Sequence, residues 1–277
     1  MIDIPSIANN LEYRSDGVWY ARHNTEFAYP EEGNAFCYGV EESSFWFNHR
    51  NAFIIEALQR YPPDGVLFDI GGGNGFVAKA IGEAGFETIL VEPGVQGIRN
   101  AQRRGLSPLI CATLEDADFS DHCLAAVGLF DVLEHTPDDV KFLSQLHKLL
   151  VPGGRLYLTV PAYQFLWSVE DVMAHHYRRY TRRHLDERLQ KSGFQVDFFT
   201  YIFATLPFPI FLFRTLPSLL GWRKPVDFSR TATELNPESS LANRLIDAVL
   251  RMELMALRRL KRLPFGGSCL LVARTLD

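Results

Sequence analysis

Cysteine is scarce and scattered in this chain of 277 residues. Cys37, Cys111, Cys123 and Cys269 form no CxxC pair and match no zinc spacing, so free thiols in a reducing compartment are expected and no metal site is. Positive charge is also short, with 28 Lys and Arg against 33 Asp and Glu. The net charge of -5 excludes an overall basic field, and no nucleic-acid partner is expected. Long hydrophobic runs are missing too. The longest uncharged stretch, Phe198 to Phe213, contains Pro207 and Pro209. It falls short of the ~20 apolar residues that span a bilayer. The start, MIDIPSIANNLEYRSDGVWY, has no basic segment followed by an apolar one, so a cytoplasmic protein is expected rather than a secreted one. Repeats and low-complexity tracts are absent, and oligomeric state is not legible.

What is abundant is phenylalanine, 21 residues against 4 Trp and 10 Tyr, in a chain that is 47% hydrophobic. Such a composition excludes disorder and suits one large domain. Apolar strands are expected at 66–70, 88–91, 109–111, 125–130, 155–160, 194–201 and 268–275. Helices are expected at 43–61, 76–84, 96–104, 137–150, 181–192 and 240–263. Alternation at this spacing predicts an α/β fold: a doubly wound, Rossmann-like, seven-stranded sheet with helices on both faces. The expected organisation is an N-terminal extension and cap helix over 1–63 and a cofactor-binding core over 64–200. An apolar, helical insertion over 201–267 and a final core strand over 268–277 complete it.

The loop after the first core strand, Asp69-Ile70-Gly71-Gly72-Gly73-Asn74-Gly75, is where a doubly wound sheet binds ligands. Two ligand classes compete for it. Gly73 to Ala78 matches a dinucleotide pattern, with Glu92 placed for a ribose, which would make the protein an NAD(P)-dependent oxidoreductase. Asp69, however, would repel a pyrophosphate and attract a ligand carrying an ammonium and a sulfonium. A non-catalytic scaffold that only binds cofactor is a third reading.

These motifs, with Phe130-Asp131-Val132-Leu133-Glu134-His135 and Leu150-Val151-Pro152-Gly153-Gly154, resemble those of the class I S-adenosylmethionine-dependent methyltransferases. The resemblance covers about 64–200 and the last strand. It implies S-adenosylmethionine as methyl donor and S-adenosylhomocysteine as product. It further implies that Asp69, Gly71, Gly72, Gly73 and Gly75 hold the methionine end, and that Glu92, beside Pro93, takes the ribose hydroxyls. Thr113 and Leu114 would flank the adenine, and Phe130 and Asp131 would close the site. Arg50 is a candidate for the methionine carboxylate.

The connection after the fifth core strand is dense in Trp, His, Arg, Tyr and Asp. It resembles a loop of methyltransferases that modify glycans, lipids or small metabolites. A base is needed if the acceptor is a hydroxyl. His176 is the first candidate, Asp171 its orienting partner and His135 its rival. Trp167, Arg178, Arg179 and Tyr180 are substrate-binding candidates. The expected function is methyl transfer to a small-molecule, lipid-linked or glycan acceptor, at oxygen ahead of nitrogen or carbon. The insertion at 200–263, with Leu245, Val249, Met252 and Met255 read as one apolar helix face, is a candidate for peripheral contact with the inner face of a membrane.

Overall fold

The computed structural model describes residues 2–23, 31–222, 240–259 and 261–276. Its strands are β1 (Leu11–Tyr13), β2 (Trp19–Ala21), β3 (Leu67–Ile70), β4 (Thr88–Val91) and β5 (Leu109–Cys111). They continue as β6 (Leu124–Phe130), β7 (Leu150–Pro161), β8 (Phe194–Ile202) and β9 (Ser268–Thr275). All join one sheet in the order β1-β2-β5-β4-β3-β6-β7-β9-β8. From β2 to β7 neighbouring strands run parallel, and β9 lies antiparallel between β7 and β8. Helices cover both faces, so a central strand such as β3, read as Leu-Phe-Asp-Ile, is buried at every position.

The sheet has nine strands where seven were expected. The two additions, β1 and β2, come from the N-terminal extension and extend the edge at β5. Each holds three residues, too few for an alternating pattern to register in sequence. Another correction concerns β7. It begins at Leu150 rather than Arg155, and the Pro152-Gly153-Gly154 turn forms an irregularity in its pairing with β6.

The helix Phe45–Arg60 opens with the Ser44 side chain accepting from the Trp46 N–H at 3.2 Å, and Pro62-Pro63 follows its end. It buries Phe53, Ile54, Ala57 and Leu58 against Tyr157 of β7, Phe198 of β8 and Val272 of β9. The C-terminal helix runs Ser240–Arg258, ending short of Leu263. Its inward face is Leu250, Glu253 and Leu257, while Met252 and Met255 of the apolar face read from sequence are 65% and 48% exposed and the Leu245 side chain lies outside the described part. The reason is polar. Glu253 is drawn inward because its carboxylate accepts the N–H groups of Phe203 (3.0 Å) and Ala204 (2.7 Å) and pairs with His49 at 3.2 Å. Hydrophobic periodicity alone does not register a buried acid.

Candidate functional site

The carboxyl ends of β3, β4 and β6 meet at the glycine loop. Asp69, next to last in β3, has no exposed surface, and neither carboxylate oxygen has a hydrogen-bond partner. Gly72 lies directly against it: a Cβ there would meet Asp69 Oδ2 at 2.5 Å and Leu90 Cδ1 at 2.2 Å. Only glycine lets the backbone pass so close to the acid. Gly71, at φ +68°, turns the chain off the strand end, and Gly73 and Gly75 also have positive φ. A buried acid under a glycine-rich loop fits a cationic methyl donor better than a pyrophosphate.

The loop is braced by a network that sequence reading missed. Asn74 donates to the Asn34 carbonyl (2.9 Å) and to Glu41 (3.2 Å), and accepts from Asn100 at 2.9 Å. Arg104 donates to the Asn74 carbonyl and pairs with Glu41, both at 2.8 Å. The helix Glu31–Val40 is thereby tied to the helix Val95–Arg103 through a single loop asparagine. Only the Asn between two glycines could have flagged it.

Glu92 follows β4, and both its oxygens are engaged. Oε2 accepts from the Gly73 N–H at 2.9 Å and Oε1 from the Gly94 N–H at 2.8 Å. Each carboxylate oxygen retains a further acceptor site for a ribose hydroxyl. Pro93 follows it on the chain, half-buried.

Burial pushes Asp69 and Glu92 each up to about 7. Both acids keep their protons in the fold at a pH where the unfolded chain has released them, so raising the pH through 7 removes stability. His135, which burial and the neighbouring His176 hold down to about 4, acts oppositely below its ordinary 6.5. The melting temperature of the cofactor-free protein is therefore expected to fall between pH 6.5 and about pH 8. Asp69→Asn should shrink that fall; an unchanged slope in the variant would exclude Asp69 as its source.

A cavity of about 780 Å³ lies beyond Asp131. Its walls are Phe45, Trp46 and Phe47 from the cap helix, a polar group made of Asp131, Glu134, His135, Asp171, His176 and Arg179, and a third wall from 206–222. The polar group is ordered by Asp171, whose side chain has no exposed surface. The acid accepts from the Ser168 N–H at 2.9 Å, from His176 Nδ1 at 2.9 Å, and from Arg179 Nε and Nη2 at 2.8 and 2.9 Å. The Ser168-x-x-Asp171 spacing is a capping box at the start of the helix Val169–Met173. Burial alone would raise the Asp171 carboxyl, but the bonds from His176 and Arg179 outweigh it and hold the group down to about 2. With Nδ1–H committed to Asp171, the lone pair of His176 is on Nε2.

His135 packs edge-on to His176, ring centroids 4.8 Å apart. Glu134, not singled out from sequence, joins them: it is 1% exposed, its Oε2 is unpartnered, and burial followed by repulsion from Asp131 holds it well above the ordinary carboxylate range. Ligand atoms of Glu134, His135 and His176 lie within 4.8 Å of one another, so among the described residues this trio could hold a metal ion, although none was expected from sequence.

Other candidates lie elsewhere. Arg50 pairs with Asp131, which has φ +60°, and its guanidinium stacks over Trp46 at 4.8 Å. Arg178 pairs with Asp139 at 2.9 Å, and Tyr180, fully buried, donates to the same acid at 3.1 Å. Both serve a pin between the loop and the helix Asp139–Leu149, not the cavity. Arg179 reaches the cavity, but with its charge spent on Asp171. Trp167 is half-buried outside the cavity wall. Thr113 caps the turn Leu114–Ala117, its hydroxyl accepting from the Asp116 N–H at 3.0 Å, while Leu114 and Phe130 are packed into the core.

Known proteins match this arrangement. Residues 46–197 match the methyltransferase domain family. The mouse (Mus musculus) mitochondrial ubiquinone biosynthesis O-methyltransferase is 28% identical over 102 residues, which is 34% of this chain and 28% of that enzyme. The aligned stretch thus spans less than a third of that relative. A probable S-adenosylmethionine-dependent methyltransferase of Mycolicibacterium smegmatis is 23% identical over 173 residues, 61% of this chain and 67% of that protein. Among solved structures, a putative methyltransferase in complex with the Haloferax volcanii Trm112 activator superimposes with a TM-score of 0.57 at 15% identity, covering 89% of this chain and 96% of that one. Haemonchus contortus phosphoethanolamine N-methyltransferase 2, in complex with S-adenosyl-L-methionine, gives 0.54 at 18%, covering 90% and 58%. These two likenesses concern the fold alone. The chain belongs to the methyltransferase domain family, within the class I S-adenosylmethionine-dependent methyltransferases.

Proposed function

We propose that the protein transfers a methyl group from S-adenosylmethionine to a hydroxyl of a small, largely apolar acceptor held in the cavity beyond Asp131. The observation that carries this reading is the Asp171–His176 pair, which presents an oriented imidazole at the cavity wall beside Asp131. The bound cofactor supplies a methyl carbon made electrophilic by its sulfonium. Asp69 and the Gly71–Gly75 loop bind its charged end, and Glu92 accepts from its ribose. As the acceptor oxygen bonds to the methyl carbon and the methyl–sulfur bond breaks, leaving S-adenosylhomocysteine with the bonding pair, His176 Nε2 would take the hydroxyl proton and Asp171 would stabilise the imidazolium. Phe45, Trp46 and Phe47 exclude water and hold the acceptor in line, where positioning supplies much of the rate.

The third wall, with Leu206, Pro209, Ile210, Phe213 and Pro217, favours an apolar or lipid-linked acceptor over a glycan. The name of the ubiquinone biosynthesis relatives supports transfer to oxygen on a small molecule. A turnover screen with isotopically labelled S-adenosylmethionine tests this. Label is expected in the ethers of tail-bearing phenols or alcohols; label only in amines or sugars would contradict the reading.

A further inference from the structure

Residues 207–219 form a helical segment: Pro207–Ile210, a π-helical turn Phe211–Thr215, then Leu216–Leu219. Its side facing the cavity carries Leu206, Pro209, Ile210, Phe213 and Pro217. A helix with one apolar side over a pocket ordinarily turns a polar side to solvent. This one does not. Phe208 is 75% exposed, Phe211 and Leu212 are 40% and 41%, Leu219 is 74% and Trp222 is 76%. Phe208, Phe211, Leu212 and Leu219, separated by three, one and seven residues, lie along one side of the helix, opposite the cavity-facing set, while Trp222, beyond the helix end, lines the cavity as well. Phe213 lines the cavity and is nevertheless 64% exposed, so the cavity opens outward along its ring.

Large apolar side chains exposed in a row mark an interaction surface. The charge pattern indicates which kind. No Asp or Glu occurs in the sequence from Phe198 to Lys224; its charges are Arg214, which lines the cavity, and Arg223 and Lys224, which follow Trp222 in sequence and lie outside the described residues. Apolar bulk with cations and no acid matches an anionic lipid surface, where basic residues add attraction to burial of the aromatics. Among the described residues no helix is long and apolar enough to cross a membrane, so contact would be from one side.

We propose that the outer side of 207–222 docks on an anionic bilayer surface, and that the acceptor passes from the lipid along Phe213 into the cavity. The docking stands on exposure and charge alone; the passage of the acceptor rests on the function proposed above. One helical segment forming both the docking face and the cavity wall puts the mouth of the site at the lipid boundary.

Co-sedimentation with vesicles of phosphatidylcholine and phosphatidylglycerol tests the docking without any turnover. The protein is expected to pellet with these vesicles and less with phosphatidylcholine alone. The double variant Phe208→Ser, Leu219→Ser, whose positions do not line the cavity, is expected to lose at least about tenfold in partitioning, since burying such side chains is the main attraction. Its melting temperature, and its turnover of a short water-soluble acceptor, should match the parent, because both side chains project into solvent. Protein that stays in the supernatant with anionic vesicles overturns the proposal. So does a double variant that still pellets like the parent, or sedimentation velocity showing a dimer that the variant dissociates, which would make the face a contact between copies. Vesicle binding without turnover of any acceptor would leave the docking standing and overturn the function.

Discussion

His176→Ala is expected to lower kcat ~10²- to 10⁴-fold, the range for loss of a positioned general base, while affinity for S-adenosylhomocysteine is little changed. The split is expected because His176 touches none of the groups assigned to the cofactor. Its contacts are Asp171 through Nδ1 and the His135 ring. His135 does not substitute for it: burial and the adjacent imidazole hold it at about 4, too weak a base for the task at neutral pH. Asp171→Asn should fall in the same direction, since an amide cannot hold Nδ1–H and Arg179 together. Its fold also suffers, because the guanidinium of Arg179, 9% exposed, loses its partner. The His176 variant is therefore the cleaner measurement. Undiminished kcat in His176→Ala would remove the base assignment. Turnover lost on chelation and restored by a divalent ion would instead make His176 a ligand, with Glu134 and His135, and not a base.

The second large effect is on binding. Glu92→Ala is expected to weaken S-adenosylhomocysteine by at least ~100-fold. Hydrogen bonds to a charged group contribute about 1.5–3 kcal/mol each, and a ribose presents two hydroxyls. Part of the loss comes from the protein itself, because Glu92 also ties the Gly73 and Gly94 N–H groups into place. Thermal melts separate the parts: Glu92→Ala should bind weakly even at temperatures far below its own melting transition. Unchanged affinity by calorimetry would remove the ribose assignment.

The sheet and the cofactor loop were legible in sequence because each rests on local chemistry. The three apolar residues of β3 around Asp69 and the run of glycines after Ile70 state both a buried strand and a sharp turn. The same holds for Asp171 and His176, which lie five residues apart and meet at 2.9 Å. Partnerships across the chain were not legible. Arg178 and Tyr180 sit beside His176 in sequence but turn to Asp139, over thirty positions away. Glu134 and His135 meet His176 only through the packing of a loop. The inward face of the C-terminal helix is chosen by Glu253, whose partners His49, Phe203 and Ala204 are brought to it by the fold. The phenylalanine surplus divides likewise. Phe53, Phe198 and Phe203 are buried, while Phe208, Phe211 and Phe213 stay exposed on the cover, a distinction that composition cannot make.

The central claim is that Asp69, the glycine loop and Glu92 bind a sulfonium nucleoside and not a dinucleotide. Isothermal titration of the full chain with S-adenosylhomocysteine and, separately, with NADH tests it most directly. The structure predicts saturable one-site binding of S-adenosylhomocysteine, weakened in Glu92→Ala, and no heat with NADH. Saturable binding of NADH with none of S-adenosylhomocysteine would contradict it.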